Sequence, residues 1–205
     1  MIGSVVACGI PRSGSTLIWQ ILQALYPEQE ILKTHPDIWD PDGSTAVVTI
    51  RDPHDVVASL YRVRLSRDHG RQVGTMRDLL QAIDRMLISY ACLWSVLDGP
   101  SVVLRYEEFW DDHDVIYNAL STTFRTTISP STRHSLSEQF GVEANRERAS
   151  KMRDFRDVDE FQIHGDHMGR VEPDYWFSYL PKWATQRVIE ACASVAEEWG
   201  YADSD

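Results

Sequence analysis

The chain has 205 residues and carries 20 Lys and Arg against 31 Asp and Glu, a formal charge of −11 at pH 7. With 43% hydrophobic and 25% charged residues it has the make-up of an ordinary globular protein, and its length suits one domain over residues 1–205. The acidic balance argues against nucleic acid as a partner, because phosphate neutralisation supplies most of that affinity. Any anion held here must therefore sit in a local positive pocket. No apolar run approaches the ~18 residues a membrane span needs. The first residues, Met1-Ile2-Gly3-Ser4, place no basic region ahead of the apolar stretch, which speaks against a signal peptide. Cys8, Cys92 and Cys192 are odd in number, widely spaced and set in apolar runs, so they read as core thiols in a reducing cytoplasm.

In chain order, residues 4–10 read as a short buried strand. The loop Pro11-Arg12-Ser13-Gly14-Ser15-Thr16 follows, and then Leu17, Ile18, Ile21, Leu22 and Leu25 recur at helical spacing. A second strand at 30–33 stops at Thr34-His35-Pro36, and a third, rich in β-branched residues, covers 45–51. Asp52 caps the next helix, with Pro53 in its first turn. A longer helix is expected over 75–97, a fourth strand over 101–106, a helix from about Glu107, and a last helix over roughly 181–199. The polar segment 129–158 shows no clear period. Strands alternating with helices predict an α/β fold: a parallel sheet of four or five strands flanked by helices. Ligands in such sheets bind beyond the carboxyl ends of the strands. Three of the strands end there in chemistry-bearing residues: Arg12 to Thr16, Lys33 to His35, and Arg51-Asp52.

The loop at 11–16 has the small residues a tight turn needs, so its amides can converge on one anion at the positive end of the following helix. Arg12 adds a bidentate phosphate contact, and the hydroxyls of Ser13, Ser15 and Thr16 add donors. A plain capped strand-to-helix turn is the alternative. The stretch lacks the Gly-Lys-Ser/Thr of a Walker A loop, which suggests a nucleotide without the magnesium-bound β,γ-phosphates. Lys33 is one of three lysines beside 17 arginines. At a strand end it can steady charge on a leaving oxygen while His35 takes a proton, or the pair simply caps a solvated edge. Arg51, with Ser59 eight residues on, can reach a second phosphate or form an ordinary helix start. The arginines between Arg62 and Arg85 can line a basic groove for an anionic acceptor but read rather as a solvated helix face, and Trp94, Trp110, Trp176, Trp183 and Trp199 as packing residues rather than ligand-stacking ones. The acidic run at 110–114 reads as solvated, and His164, Asp166 and His167 lack a fourth ligand for a metal.

Together these three stretches resemble the sulfotransferases that use 3′-phosphoadenosine 5′-phosphosulfate (PAPS). The first is similar to their 5′-phosphosulfate loop, with Arg12 where many members have lysine. The second resembles their Lys-Thr-His segment, and the third their 3′-phosphate motif. Leu104-Arg105-Tyr106-Glu107-Glu108-Phe109 resembles a later strand-to-helix stretch, and His167-Met168-Gly169-Arg170 the loop that closes over the 3′-phosphate and adenine. The resemblance implies a P-loop-like fold and PAPS as co-substrate without a metal. It implies Arg12, Ser13, Gly14, Ser15, Thr16, Arg51, Ser59 and Arg170 as nucleotide ligands. His35 is then the general base, with Lys33 and Arg12 neutralising the leaving oxygen; Asp55 and Glu107 are the next carboxylates to consider. The acceptor is expected to be a small hydroxylated metabolite, lipid or saccharide. A magnesium-dependent P-loop kinase and a non-catalytic nucleotide-binding module are the competing functions.

Overall fold

The computed structural model describes residues 4–39, 43–67, 74–154, 156–165 and 172–202. Four strands, β1 (Val5–Gly9), β2 (Leu32–Thr34), β3 (Thr45–Ile50) and β4 (Ser101–Arg105), lie parallel in the order β2-β1-β3-β4. Eight α-helices accompany them among the described residues: α1 (Ser15–Leu25), α2 (Pro53–Arg67), α3 (Met76–Leu97), α4 (Tyr106–Phe109), α5 (Asp114–Phe124), α6 (Pro130–Phe140), α7 (Val142–Ser150) and α8 (Lys182–Glu198). No described helix is long and apolar enough to cross a membrane.

β1 is buried along its whole length, as a central parallel strand must be when helices cover both faces. Its side chains alternate between two cores. Val6 and Cys8 join Val48 and Ile50 of β3 under α2, α3 and α8. Val5 and Ala7 join Val47 and Leu104 beneath α1, α4, α5 and α6. The strand order carries a consequence for function. From β1 the chain crosses through α1 to β2 on one side, whereas β3 pairs on the other, and α1 and α2 leave on opposite faces. The carboxyl ends of β1 and β3 therefore flank a topological switch point, where open α/β sheets form a crevice.

The helix starts follow local chemistry. Asp52 Oδ1 accepts from the His54 amide at 2.7 Å, and Thr75 with Asp78 forms a reciprocal capping box for α3. The segment from 129 to 158, whose sequence shows no clear period, holds α6 and α7. Each has only two buried residues, Leu136 and Phe140 on α6, Asn145 and Ala149 on α7. One of those anchors is polar: Asn145 exchanges hydrogen bonds with Gln20 of α1. The helix foreseen from Glu107 is a single turn, α4, and α5 begins only at Asp114.

Gly9 ends β1 at a close approach. A Cβ there would lie 2.0 Å from Thr49 Oγ1 and 2.8 Å from Ser15 Cβ. Gly9→Ala should therefore destabilise the fold by about 1–3 kcal/mol, seen as a lower denaturant midpoint with an unchanged slope. A variant with the parent's midpoint would mean that β1 and β3 are not held this tightly.

Candidate active site

Register sets the site. Gly9 pairs with Thr49, Cys8 with Thr34, and Ile50 with Arg105, so four segments step off the sheet in one row. A cleft of about 600 Å³ opens along that edge. Arg12, Gly14, Ser15, Thr16, Lys33, His35, Arg51 and Ser59 all line it. Of the residues singled out in the sequence, Arg170 lies outside the described residues, as do Asp166 and His167.

The loop after β1 curls through two left-handed residues, Arg12 at φ 71° and Gly14 at φ 85°. Glycine at position 14 also leaves room for Phe109, whose ring would lie 2.9 Å from an added Cβ. Helix α1 starts immediately afterwards, and the amides of its first turn have no intrahelical acceptors. Those of Gly14, Ser15 and Thr16 donate to no partner among the described residues. Ser13 departs from its expected role. Its amide donates to the Ile10 carbonyl, and its fully buried hydroxyl sits 2.6 Å from Ile10 O, 2.6 Å from Thr49 Oγ1 and 3.0 Å from Thr49 O. Ser13 rivets the loop to β3 and does not face the cleft.

The first and third motifs touch. Arg12 Nε donates to Ser59 Oγ at 3.0 Å, and Arg51 Nη1 donates to the Arg12 carbonyl at 3.3 Å. Arg51 is buried, pairs with Asp55 at 3.1 Å, and lies 4.2 Å from the centroid of the Tyr106 ring. Its buried Nε has no hydrogen-bond partner. An unpaired buried donor of a cation is costly unless an anion completes it. The donor set thus fits a ligand with two separate anionic groups, one over the loop and one at Arg51 and Ser59.

Lys33 Nζ donates to Thr16 Oγ1 at 2.7 Å, leaving the Thr16 O–H free to point elsewhere. Burial first, and then the Arg12 guanidinium, push the Lys33 pKa down to about 8. His35 Nδ1 lies 2.7 Å from the Gly9 carbonyl. A carbonyl only accepts, so Nδ1 carries the proton and Nε2 of the neutral ring is the basic atom. Burial lowers the His35 pKa; the Gly9 bond opposes this, while Arg85 and Lys33 add to it.

Several residues fall where sequence did not place them. Arg64 and Arg85, read as a solvated face, line the cleft beside Leu60 and Val63. Trp110, read as packing, lines the opposite wall with Tyr106, Phe140, Val142 and Ile163, and His113 and His164 lie there too. Conversely, Asp55 and Glu107 do not line the cleft: Asp55 holds Arg51 and the Asp174 amide, and Glu107 accepts from the Asp52 amide and the Tyr201 hydroxyl. Both carboxylates are structural. Trp94 and Trp199 pack with tilted rings 5.0 Å apart away from the site. Burial raises the thiols of Cys8 and Cys192 to about 12, which makes them inert core residues.

Lys33 carries a sign that can be tested. Its pKa is about 8 when folded and 10.5 by reference, so the unfolded chain binds more protons between those values and stability rises with pH through that window. Below it, the buried ammonium opposes folding. Lys33→Met should make the ligand-free protein more stable at pH 7, on the order of 1–3 kcal/mol, and the gap should close toward pH 10.5. Denaturant melts at the two pH values measure this; a gap that does not change with pH would contradict a buried charge.

No family model matches the sequence, and no curated protein matches it. Solved structures do. A retinol dehydratase in complex with androsterone and the inactive cofactor PAP superposes with a TM-score of 0.70 at 14% identity, over 94% of this chain and 80% of that one. Mouse sulfotransferase SULT7A1 complexed with PAP gives 0.66 at 10% identity, over 98% and 85%. The sulfotransferase domain of the curacin biosynthetic pathway gives 0.53 at 14% identity, over 91% and 68%. The parallel sheet, its flanking helices and these superpositions together identify the fold of this chain as that of the sulfotransferases.

Proposed function

We propose that the chain transfers the sulfuryl group of PAPS to a hydroxyl or amine of a small acceptor. One observation carries the reading: Arg12, Ser59 and Arg51 touch across the gap between β1 and β3, with His35 on the same cleft. That arrangement supports two adjoining anion subsites with a basic nitrogen on the same cleft. PAP in two solved structures of the same fold supports the choice of nucleotide.

In this reading the amides of Gly14, Ser15 and Thr16, with Arg12 and the Thr16 and Ser15 hydroxyls, hold the 5′-phosphosulfate. Arg51 and Ser59 hold the 3′-phosphate, and Arg170 joins them by the resemblance alone. PAPS supplies an activated sulfuryl group when bound. His35 Nε2 receives the acceptor's proton as the acceptor oxygen or nitrogen bonds to sulfur, and the sulfur–oxygen bond to the phosphate breaks. Lys33 and Arg12 neutralise the charge left on that phosphate oxygen, so the reading assigns no metal. Its place is a reducing cytoplasm, which suits the unpaired thiols of Cys8, Cys92 and Cys192.

Labelled PAPS and an acceptor library should reveal turnover that falls on the order of 10²–10⁴-fold in His35→Ala, while PAP affinity stays close to the parent's. Undiminished turnover would remove His35 as the base. Ser59→Ala should weaken PAP roughly tenfold and leave AMP, which lacks the 3′-phosphate, nearly unaffected; calorimetry with both ligands separates the two outcomes. Equal losses for PAP and AMP would remove Ser59 from the 3′-phosphate subsite.

A further inference from the structure

The charged residues of the cleft are unevenly matched to one nucleotide. Arg12, Lys33, Arg51, Arg64 and Arg85 line it, and no Asp or Glu among the described residues does, in a chain of net charge −11. Three of these cations crowd the loop between β1 and β3, where the nucleotide phosphates belong in the reading above. The remaining two, Arg64 and Arg85, sit on the wall formed by α2 and α3.

That wall is built, not incidental. Arg64 Nη1 donates to Gln81 Oε1 at 2.6 Å, a neutral partner that orients the guanidinium without cancelling its charge. Gln81 and Arg85 stand one turn apart on α3 and so share a face. Arg85 pairs with Asp37, whose carboxylate is buried, and Asp37 lies two residues beyond His35. Arg85 is also close enough to His35 to lower its pKa. Asp37 balances Arg85 beside the proton acceptor, and Arg64, oriented by a neutral partner, keeps its charge on the same wall. The opposite wall, with Tyr106, Trp110 and Phe140, offers aromatic faces suited to a purine.

We infer that the acceptor is a small hydroxylated acid, whose carboxylate or phosphate is held by Arg64 while its hydroxyl meets His35. This inference rests on the sulfuryl-transfer reading and names its substrate class. The acidic surface does not oppose such a ligand inside the cleft, where the local field is positive.

The test is binding to the PAP-saturated protein by calorimetry, which needs no turnover. Two matched pairs serve as probes: para-hydroxybenzoate against its methyl ester, and glycerol phosphate against glycerol. The charged member of at least one pair should bind roughly ten- to a hundredfold tighter than its neutral partner, and Arg64→Gln should erase most of that preference; which pair responds tells carboxylate from phosphate. Equal affinities within both pairs, preference for the neutral members, or no binding of either acid while PAP still binds overturns the inference and leaves sulfuryl transfer standing. A preference that survives Arg64→Gln also overturns it. Failure of PAP itself to bind overturns the reading beneath, and the inference with it.

Discussion

Like charges repel, and desolvated cations repel strongly. Even so, the fold presses Arg12, Lys33 and Arg51 together at the carboxyl edge of its sheet, with the guanidinium of Arg51 buried and one of its donors unmade. The scaffold bears that cost through contacts that leave the cations no alternative. The buried Ser13 hydroxyl ties the loop to β3, Asp55 balances Arg51, and Glu107 ties the start of α2 to the segment after β4. In the proposed reading the nucleotide's phosphates lie between these cations. Binding and folding are therefore opposed at Lys33, where burial disfavours the charge that a ligand would welcome, as is usual for functional sites.

Geometry makes this constraint inevitable once the strand order is set. The reversal between β1 and β3 sends α1 and α2 to opposite faces and leaves a crevice between their starting points. The strand registers then fix which residues reach it, since Gly9, Thr34, Ile50 and Arg105 end their strands at nearly one level. The Gly9 carbonyl does more than end β1. By accepting from His35 Nδ1 it selects the tautomer whose other nitrogen can take a proton.

Much of this was legible in the chain. The strand-loop-helix opening, the Lys33-Thr34-His35 edge and the Arg51 to Ser59 spacing lie within sixty residues, and each starts at a strand end. Ser13 was misassigned because a serine in a phosphate-type loop looks like a ligand until Thr49, from another strand, is seen beside it. Arg64 and Arg85 were taken for surface because a sequence shows which residues share a helix but not which wall two helices form together. α6 and α7 escaped notice because two buried positions per helix give too little apolar period, and one of the four is an asparagine. Wherever a role depended on long-range packing, local pattern could not supply it.

The central claim is a pair of anion subsites set for a nucleotide phosphorylated at its 3′ and 5′ positions. Side-by-side calorimetry with adenosine 3′,5′-bisphosphate and with ATP–magnesium addresses it most directly. The account predicts that the bisphosphate binds without a metal and far more tightly than ATP–magnesium. Tighter binding of ATP–magnesium, or indifference to the 3′-phosphate, would contradict it.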